Sequence, residues 1–309
     1  SDSISSAFRS IPGSSVGATV QVNPNAMPIA IPTRRNTVNP KVEAEQAQKL
    51  FPAPQYDLRC YTHPRRSGWR SKWETLRRPY RYMFSTRLQD DLRGELARGF
   101  DVLHLEHAWS GWLGLDHTER ALINLHYLAR IDQGGRPLQG ARDWAERALL
   151  LSTEKRLIRS YTEFRAGSPR LEPVIRALQP KARVTSIPLG LDLSQYEYIP
   201  DERVASDAVI SMVGTMSWYP TRSAAERLLN DLWPRIRARL PHARLQIVGW
   251  SARTVLKAHL DAPGVTIEEN VPDIRPYFEK SALLLYSPAR GSGMKIKVLE
   301  AMAFGIPVV

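Results

Sequence analysis

Cysteine is nearly absent: Cys60 stands alone in 309 residues. No disulfide can form within the chain, and a reducing cytoplasm is the expected setting. No stretch approaches the ~18 consecutive apolar residues of a membrane-spanning helix. The opening Ser1-Asp2-Ser3-Ile4-Ser5-Ser6 has neither an initiator Met nor the apolar core of a secretion signal, so a trimmed chain is expected. No short-period internal repeat is visible. Acidic residues are outnumbered, 31 against 43 Lys and Arg, for a net charge of +12. That balance asks for an anionic partner, and nucleic acid, acidic lipid and a nucleoside diphosphate all satisfy it. The 43% hydrophobic and 24% charged residues are those of a globular protein, not of a disordered or fibrous one.

Residues 1–40 carry Ser, Pro and Asn clusters with few periodic hydrophobes and read as mostly irregular. From Lys41 the pattern changes. A helix is expected over Val42–Leu50, a strand over Tyr56–Cys60 and a helix over Leu88–Ala97. Asp101–Leu105 and Ala121–Leu125 read as buried strands, Gln139–Tyr161 as a long helix and Arg183–Ile187 as another strand. After a polar linker, strands are expected at Ala208–Val213, Arg244–Val248, Val265–Ile267 and Ala282–Tyr286. Helices alternate with them from Pro220, over Arg253–Leu260, over Ile274–Lys280 and over Lys295–Phe304, with Pro234 kinking or dividing the first. Gly305 closes the last helix and Ile306–Val309 starts a further strand. Apolar strands alternating with helices imply an α/β protein with parallel sheets. Two halves, 41–193 and 194–309, are expected to meet at a hinge between about Pro188 and Ser206.

The most informative stretch runs from Leu285 to Glu300, where an apolar strand enters Gly291-Ser292-Gly293 and a helix follows. Free amides and the positive dipole end make a helix start an anion site, and glycines let a phosphate approach the backbone. Lys295 and Lys297 oppose the dipole by roughly 0.3–1 kcal/mol each, a penalty that a bound anion reverses. Helical spacing puts Gly293, Lys297 and Glu300 on one face, with the carboxylate a turn beyond the phosphate, within reach of ribose hydroxyls. The same spacing also suits a plain strand–helix turn with a Lys297–Glu300 surface pair.

Gly293-Met294-Lys295-Ile296-Lys297-Val298-Leu299-Glu300 and its continuation to Val309 resemble the donor-site signature of family 4 retaining glycosyltransferases. Met212–Pro220 is similar to that family's first donor-domain strand and loop, and Ile187–Asp192 to its interdomain turn. The resemblance implies a GT-B fold: two Rossmann-like domains with parallel sheets facing a central cleft, the donor domain incomplete because the family continues past Pro307-Val308-Val309. It implies a nucleotide diphosphate sugar as donor and no cofactor. Glu300 would bind the ribose, and Gly291, Ser292, Gly293, Met294, Lys295 and Lys297 the diphosphate, with Gly214 and Arg222 completing the site. Two departures stand out. Ser292 occupies the position of a second glutamate in many members, and Thr215 follows Gly214 where Arg or Lys is usual. The Gly-Ser-Gly-Met-Lys form resembles a branch from bacterial exopolysaccharide assembly.

In the first half, Glu106, His107 and His126 lie at the carboxyl ends of expected strands, where ligands gather in open α/β sheets. His126 matches a histidine that in the family faces the donor sugar, and Glu106 joins it as the second catalytic candidate. A strand-end histidine satisfied by neighbouring backbone is the plainer reading. The resemblance implies front-face substitution with no protein nucleophile. No Cys pair and no Asp-x-Asp near the donor site is present, so metal-independent transfer is expected. Arg65–Arg87 interleaves cations with Trp69, Trp73, Tyr80, Tyr82 and Phe84. That mixture suits an acidic membrane surface or lipid-linked acceptor, or single-stranded nucleic acid with its bases stacked on the aromatics, or else a solvated helix with its aromatics in the core. Nucleic acid is not the expected partner. The expectation is a hexosyltransferase acting on a glycan or lipid-linked acceptor, cytoplasmic and peripheral at the inner membrane face. The alternative is a degenerate or truncated transferase that binds nucleotides or anions without catalysis.

Overall fold

The computed structural model describes residues 18–21, 29–33, 58–62, 73–74, 76–81, 84–200, 209–288 and 291–309. The chain divides into two compact units. The first comprises Ser1–Arg130, Pro137–Gly190 and Ser292–Met294; the second comprises Ile131–Arg136, Leu191–Gly291 and Lys295–Val309.

In the first unit, strands β1 (Ala18–Gln21), β2 (Ile29–Thr33), β3 (Leu58–Thr62), β4 (Val102–Glu106), β5 (Ala121–Leu125), β6 (Glu163–Ala166) and β7 (Arg183–Ser186) form one sheet in the order β3-β2-β1-β4-β5-β6-β7. Strands β4 to β7 pair in parallel, as does β2 with β3. Strand β1 runs antiparallel to both of its neighbours. Within the stretch read as mostly irregular, residues 18–21 and 29–33 form short strands that gain their hydrogen bonds from the sheet and not from local periodicity. The expectation of a purely parallel sheet is corrected here, since β1 makes it mixed. The expected helix at Val42–Leu50 lies outside the described residues.

Leu103, Leu105, Ile123 and Leu125 are fully buried, which places the alternate residues of β4 and β5 on the opposite face. Helix α1 (Thr86–Ala97) starts at Ser85, whose hydroxyl accepts from the Leu88 amide at 3.2 Å, a cap worth ~1 kcal/mol. It buries Leu88, Leu92 and Leu96. Helix α2 (Ala141–Ser160) has the expected extent to within two residues. Strand β6 and helix α3 (Glu172–Leu178) were not anticipated. Glu163-Phe164-Arg165-Ala166 offers only two apolar positions, too few for a periodic signal, yet Phe164 and Ala166 are buried.

The second unit holds β8 (Val209–Val213), β9 (Arg244–Gly249), β10 (Val265–Glu269) and β11 (Leu283–Leu284), all parallel, in the order β10-β9-β8-β11. The order reverses at β8, so β8 and β11 flank a topological switch point, where open α/β sheets collect ligands at their carboxyl ends. Helix α4 (Tyr219–Arg227) follows β8 and carries Pro220 in its first turn. A wider π-type turn at Leu228–Leu232 then separates it from α5 (Trp233–Arg239), which restarts with Pro234 near its head. The expected division therefore falls just before the proline, whose ring cannot continue the preceding ladder. Helix α6 is Arg275–Glu279, and α7 is Ile296–Ala303. The expected helix over Arg253–Leu260 is reduced to a turn at Ala252–Val255 followed by a tighter one at Lys257–His259. Gly305, with φ of 82°, ends α7 in the left-handed region. Val308 then bridges to Leu284 in parallel, so the last residues extend the sheet as expected.

Candidate donor site and histidine cluster

In the second unit the site is built around α7. Lys297 is partly buried, with its amine directed into the second unit. Its Nζ donates to Thr221 Oγ1 on α4 at 3.3 Å and lies 4.6 Å from the centre of the Tyr286 ring, just beyond β11. It also sits over Gly214, the turn after β8, where any Cβ would collide with it. Gly214 has φ of 155° and packs against the Gly249 backbone, so this corner accepts only glycine. Burial, and secondarily the nearby Lys295 charge, lower the Lys297 amine to about 7, with Glu300 pulling the other way. An ammonium without a carboxylate beside it is costly in such a place, and the arrangement favours an incoming anion. Burial likewise raises the Tyr286 phenol, Thr221 opposing.

Glu300 lies one turn further along α7. It is partly buried, and Oε1 accepts from the Tyr196 hydroxyl at 3.1 Å. Its other oxygen carries no protein hydrogen bond among the described residues.

The glycine-rich stretch does not behave as one loop. The helix begins at Ile296, with Lys295 in a non-helical cap conformation (φ −103°, ψ 88°), so Gly293 is not on the helical face shared by Lys297 and Glu300. That expectation is corrected: Lys295 breaks the helical path before Gly293 is reached. Gly291 and Lys295 belong to the second unit, where a Cβ on Gly291 would meet Lys295 Nζ at 2.7 Å. Ser292, Gly293 and Met294 belong to the first. Ser292 is buried, its hydroxyl accepting from the Leu128 amide at 2.9 Å. Gly293 lies against the His126 carbonyl, and Met294 Sδ accepts from the Leu189 amide at 3.1 Å. Arg222 points elsewhere, its Nε paired with Glu226 at 2.8 Å on the surface of α4. Thr221, Tyr286 and Tyr196 escaped the sequence reading. Thr221 and Tyr286 gave a weak signal, as polar residues just beyond strands flanking the switch point.

In the first unit, Glu106 at the end of β4 is in register with Asn124 on β5. His104 and His126, each two residues away from one of them, fall on the same face. His126 Nε2 lies 2.6 Å from Glu106 Oε2, and Asn124 Nδ2 donates to both carboxylate oxygens at 3.0 and 3.1 Å. Burial alone would raise the Glu106 carboxyl. The hydrogen bond and charge of His126, with smaller pulls from His104 and His107, outweigh it and hold Glu106 at about 2. Burial also lowers His104, against the attraction of Glu106; its Nε2 is 3.4 Å from Glu106 Oε1 but without hydrogen-bond geometry. His107, at φ 65°, packs with its ring tilted 49° to that of His126, centroids 4.6 Å apart, and is driven to about 3 by burial and then by His126, against Glu106, so it stays neutral. The two expected catalytic candidates thus touch directly. Among the described residues no group of three His, Cys, Asp or Glu side chains is arranged to hold a metal ion.

Of the basic aromatic stretch, residues 65–72, 75, 82 and 83 lie outside the described residues. Tyr80 stacks on Trp109 at 4.4 Å and Phe84 is buried, so these two serve the core. Trp73 and Leu76 are 66% and 61% exposed. No helix among the described residues is long and apolar enough to cross a membrane.

Residues 207–309 match the family described as glycosyl transferases group 1. No curated protein matches the sequence. Among solved structures, the chain is similar to the sucrose-phosphate synthase of Thermosynechococcus elongatus, with 18% identity and a TM-score of 0.59 over 82% of this chain and 70% of that one. It is also similar to Anabaena HepE in complex with UDP-glucose, with 13% identity and a TM-score of 0.57 over 87% and 68% of the two chains. The protein therefore has the α/β fold of GT-B glycosyltransferases, and its residues 207–309 match the group 1 glycosyltransferase family.

Proposed function

We propose that the protein transfers a hexose from a nucleoside diphosphate sugar to a glycan or lipid-linked acceptor with retention of configuration. The observation that carries this reading is Lys297, set over the Gly214 turn and bonded to Thr221 at the switch point with Glu300 one turn along, inside the segment matching a glycosyltransferase family. In this reading the diphosphate lies at the head of α7 and draws the charge of Lys297 and Lys295, while Glu300 accepts from the ribose hydroxyls. Transfer breaks the bond from the anomeric carbon to the diphosphate and forms one to the acceptor oxygen on the same face. The acceptor proton passes to the departing diphosphate. Amides and lysines stabilise the charge growing there, so neither cofactor nor metal is required. His126, held by Glu106, contacts the donor sugar. HepE was solved with UDP-glucose, which makes a uridine donor the first to try. The cations and aromatics of Arg65–Arg87 support a reading in which the enzyme works on acidic lipid at the cytoplasmic face of a bacterial membrane, and the Gly-Ser-Gly-Met-Lys form supports a role in exopolysaccharide assembly.

The test is turnover of UDP-, GDP- and ADP-hexoses, following nucleoside diphosphate release and the product anomer by NMR. An inverted anomer would overturn retention. Ser292 supports a second reading, binding without catalysis: where many relatives have a carboxylate, its hydroxyl is engaged by the Leu128 backbone. Tight donor binding with no turnover would select that reading, and neither binding nor turnover would remove both.

A further inference from the structure

The cluster at the ends of β4 and β5 constrains more than the position of His126. An amide Nδ2 can only donate, and Asn124 directs it at both oxygens of Glu106. The carboxylate is thereby fixed in plane, and both partners are buried, with 8% of their surface exposed. His126 Nε2 lies 2.6 Å from Oε2 and 3.3 Å from the Asn124 amide nitrogen. Facing an ionised carboxylate at that distance, Nε2 must carry a hydrogen and give it to Oε2; this 2.6 Å contact prevails over the Asn124 amide, which at 3.3 Å would favour a lone pair there. A lone pair on Nε2 would oppose the carboxylate at hydrogen-bond distance. In the neutral ring the hydrogen is then absent from Nδ1, which makes no protein hydrogen bond among the described residues. The tilted His107 ring packs against that of His126, centroids 4.6 Å apart.

We propose that Glu106 and Asn124 are positioning residues that lock His126 in the Nε2–H tautomer, leaving Nδ1 to accept a hydrogen bond from a sugar hydroxyl. The second part rests on the transferase reading; the tautomer does not. Asn124 contributes its only donor group, and Glu106 remains an ionised carboxylate in the interior.

The full chain labelled with 15N-histidine, without substrate, provides the test. Long-range 15N–1H spectra at pH 8 distinguish the two tautomers by the shift of each ring nitrogen, and the His126 signals are assigned by their loss in His126→Gln. A single Nε2–H form is expected, giving way to a mixture in Glu106→Leu and in Asn124→Leu. A wild-type ring that is Nδ1–H, or already mixed, would overturn the proposal without any variant having to fold. Where a donor is turned over, Asn124→Leu should lower kcat by tenfold or more with less than a threefold change in KM. An unchanged kcat would overturn the positioning role. Failure of every donor to react would remove the transferase reading but not the tautomer.

Discussion

Replacing Lys297 with methionine removes a buried amine while keeping an unbranched side chain of similar length. Burial and the Lys295 charge hold this amine at about 7, against 10.5 for an ordinary lysine. Above about pH 10.5 it is neutral in both folded and unfolded chains and imposes no penalty. As the pH falls towards 7, the unfolded chain takes up a proton that the folded chain refuses, so stability decreases, by at most ~1.4 kcal/mol per pH unit. Below about pH 7 both states are charged and the penalty levels off at roughly 5 kcal/mol, an upper bound because the site can relax. Between pH 9 and pH 7 the change amounts to ~2 kcal/mol. Urea unfolding of the wild type and Lys297→Met at these two pH values should therefore show the variant gaining ~2 kcal/mol on the wild type at the lower pH. A bound diphosphate should reverse the effect. Pairing with an anion favours the ammonium, so UDP binding at pH 8 should take up close to one proton, read as a calorimetric heat that differs between phosphate and Tris buffers. Parallel pH profiles for the two proteins, and no proton uptake, would refute the reasoning.

Three further outcomes are expected. Ser292→Ala should cost about 1 kcal/mol of stability through its lost bond to Leu128 and leave UDP affinity within a factor of two. Glu154, buried on α2, accepts from the Ala129 and Arg130 amides at 2.5 and 3.2 Å, so Glu154→Ala should destabilise by ~2–4 kcal/mol in chemical denaturation. Neutralising Arg65, Arg66, Arg77 and Arg78 together should weaken binding to acidic vesicles at low salt by about tenfold or more, at ~1 kcal/mol per cation near the surface. Unchanged binding would leave the segment with a structural role only.

The alternation from Ala208 onwards was legible because buried parallel strands are continuous apolar runs and the turns between them carry Gly and Pro. The same logic located β4, β5 and α2. It failed at β1, β2 and β6, whose pairing comes from distant partners in the sheet and leaves little local period. Lys297 and Glu300 were recognisable from their spacing, and Glu106 and His126 from their strand ends. Not recognisable were the groups that tune them. Asn124 reaches Glu106 only through the register of β4 and β5, and Thr221 and Tyr286 enclose Lys297 only because β8 and β11 are neighbours. The spacing argument misled at Gly293, where it carried a helical period through a cap that interrupts it.

Calorimetric titration of uridine and UDP, with GDP and ADP alongside, on wild type, Glu300→Ala and Lys297→Met tests the donor site most directly. Hydrogen bonds to a charged group contribute ~1.5–3 kcal/mol each, so Glu300→Ala should weaken nucleoside and diphosphate alike by at least tenfold. Lys297→Met should weaken the diphosphate by tenfold or more and the nucleoside hardly at all. Full affinity in Glu300→Ala, or equal losses for both ligands in Lys297→Met, would contradict a nucleotide-sugar site built on α7.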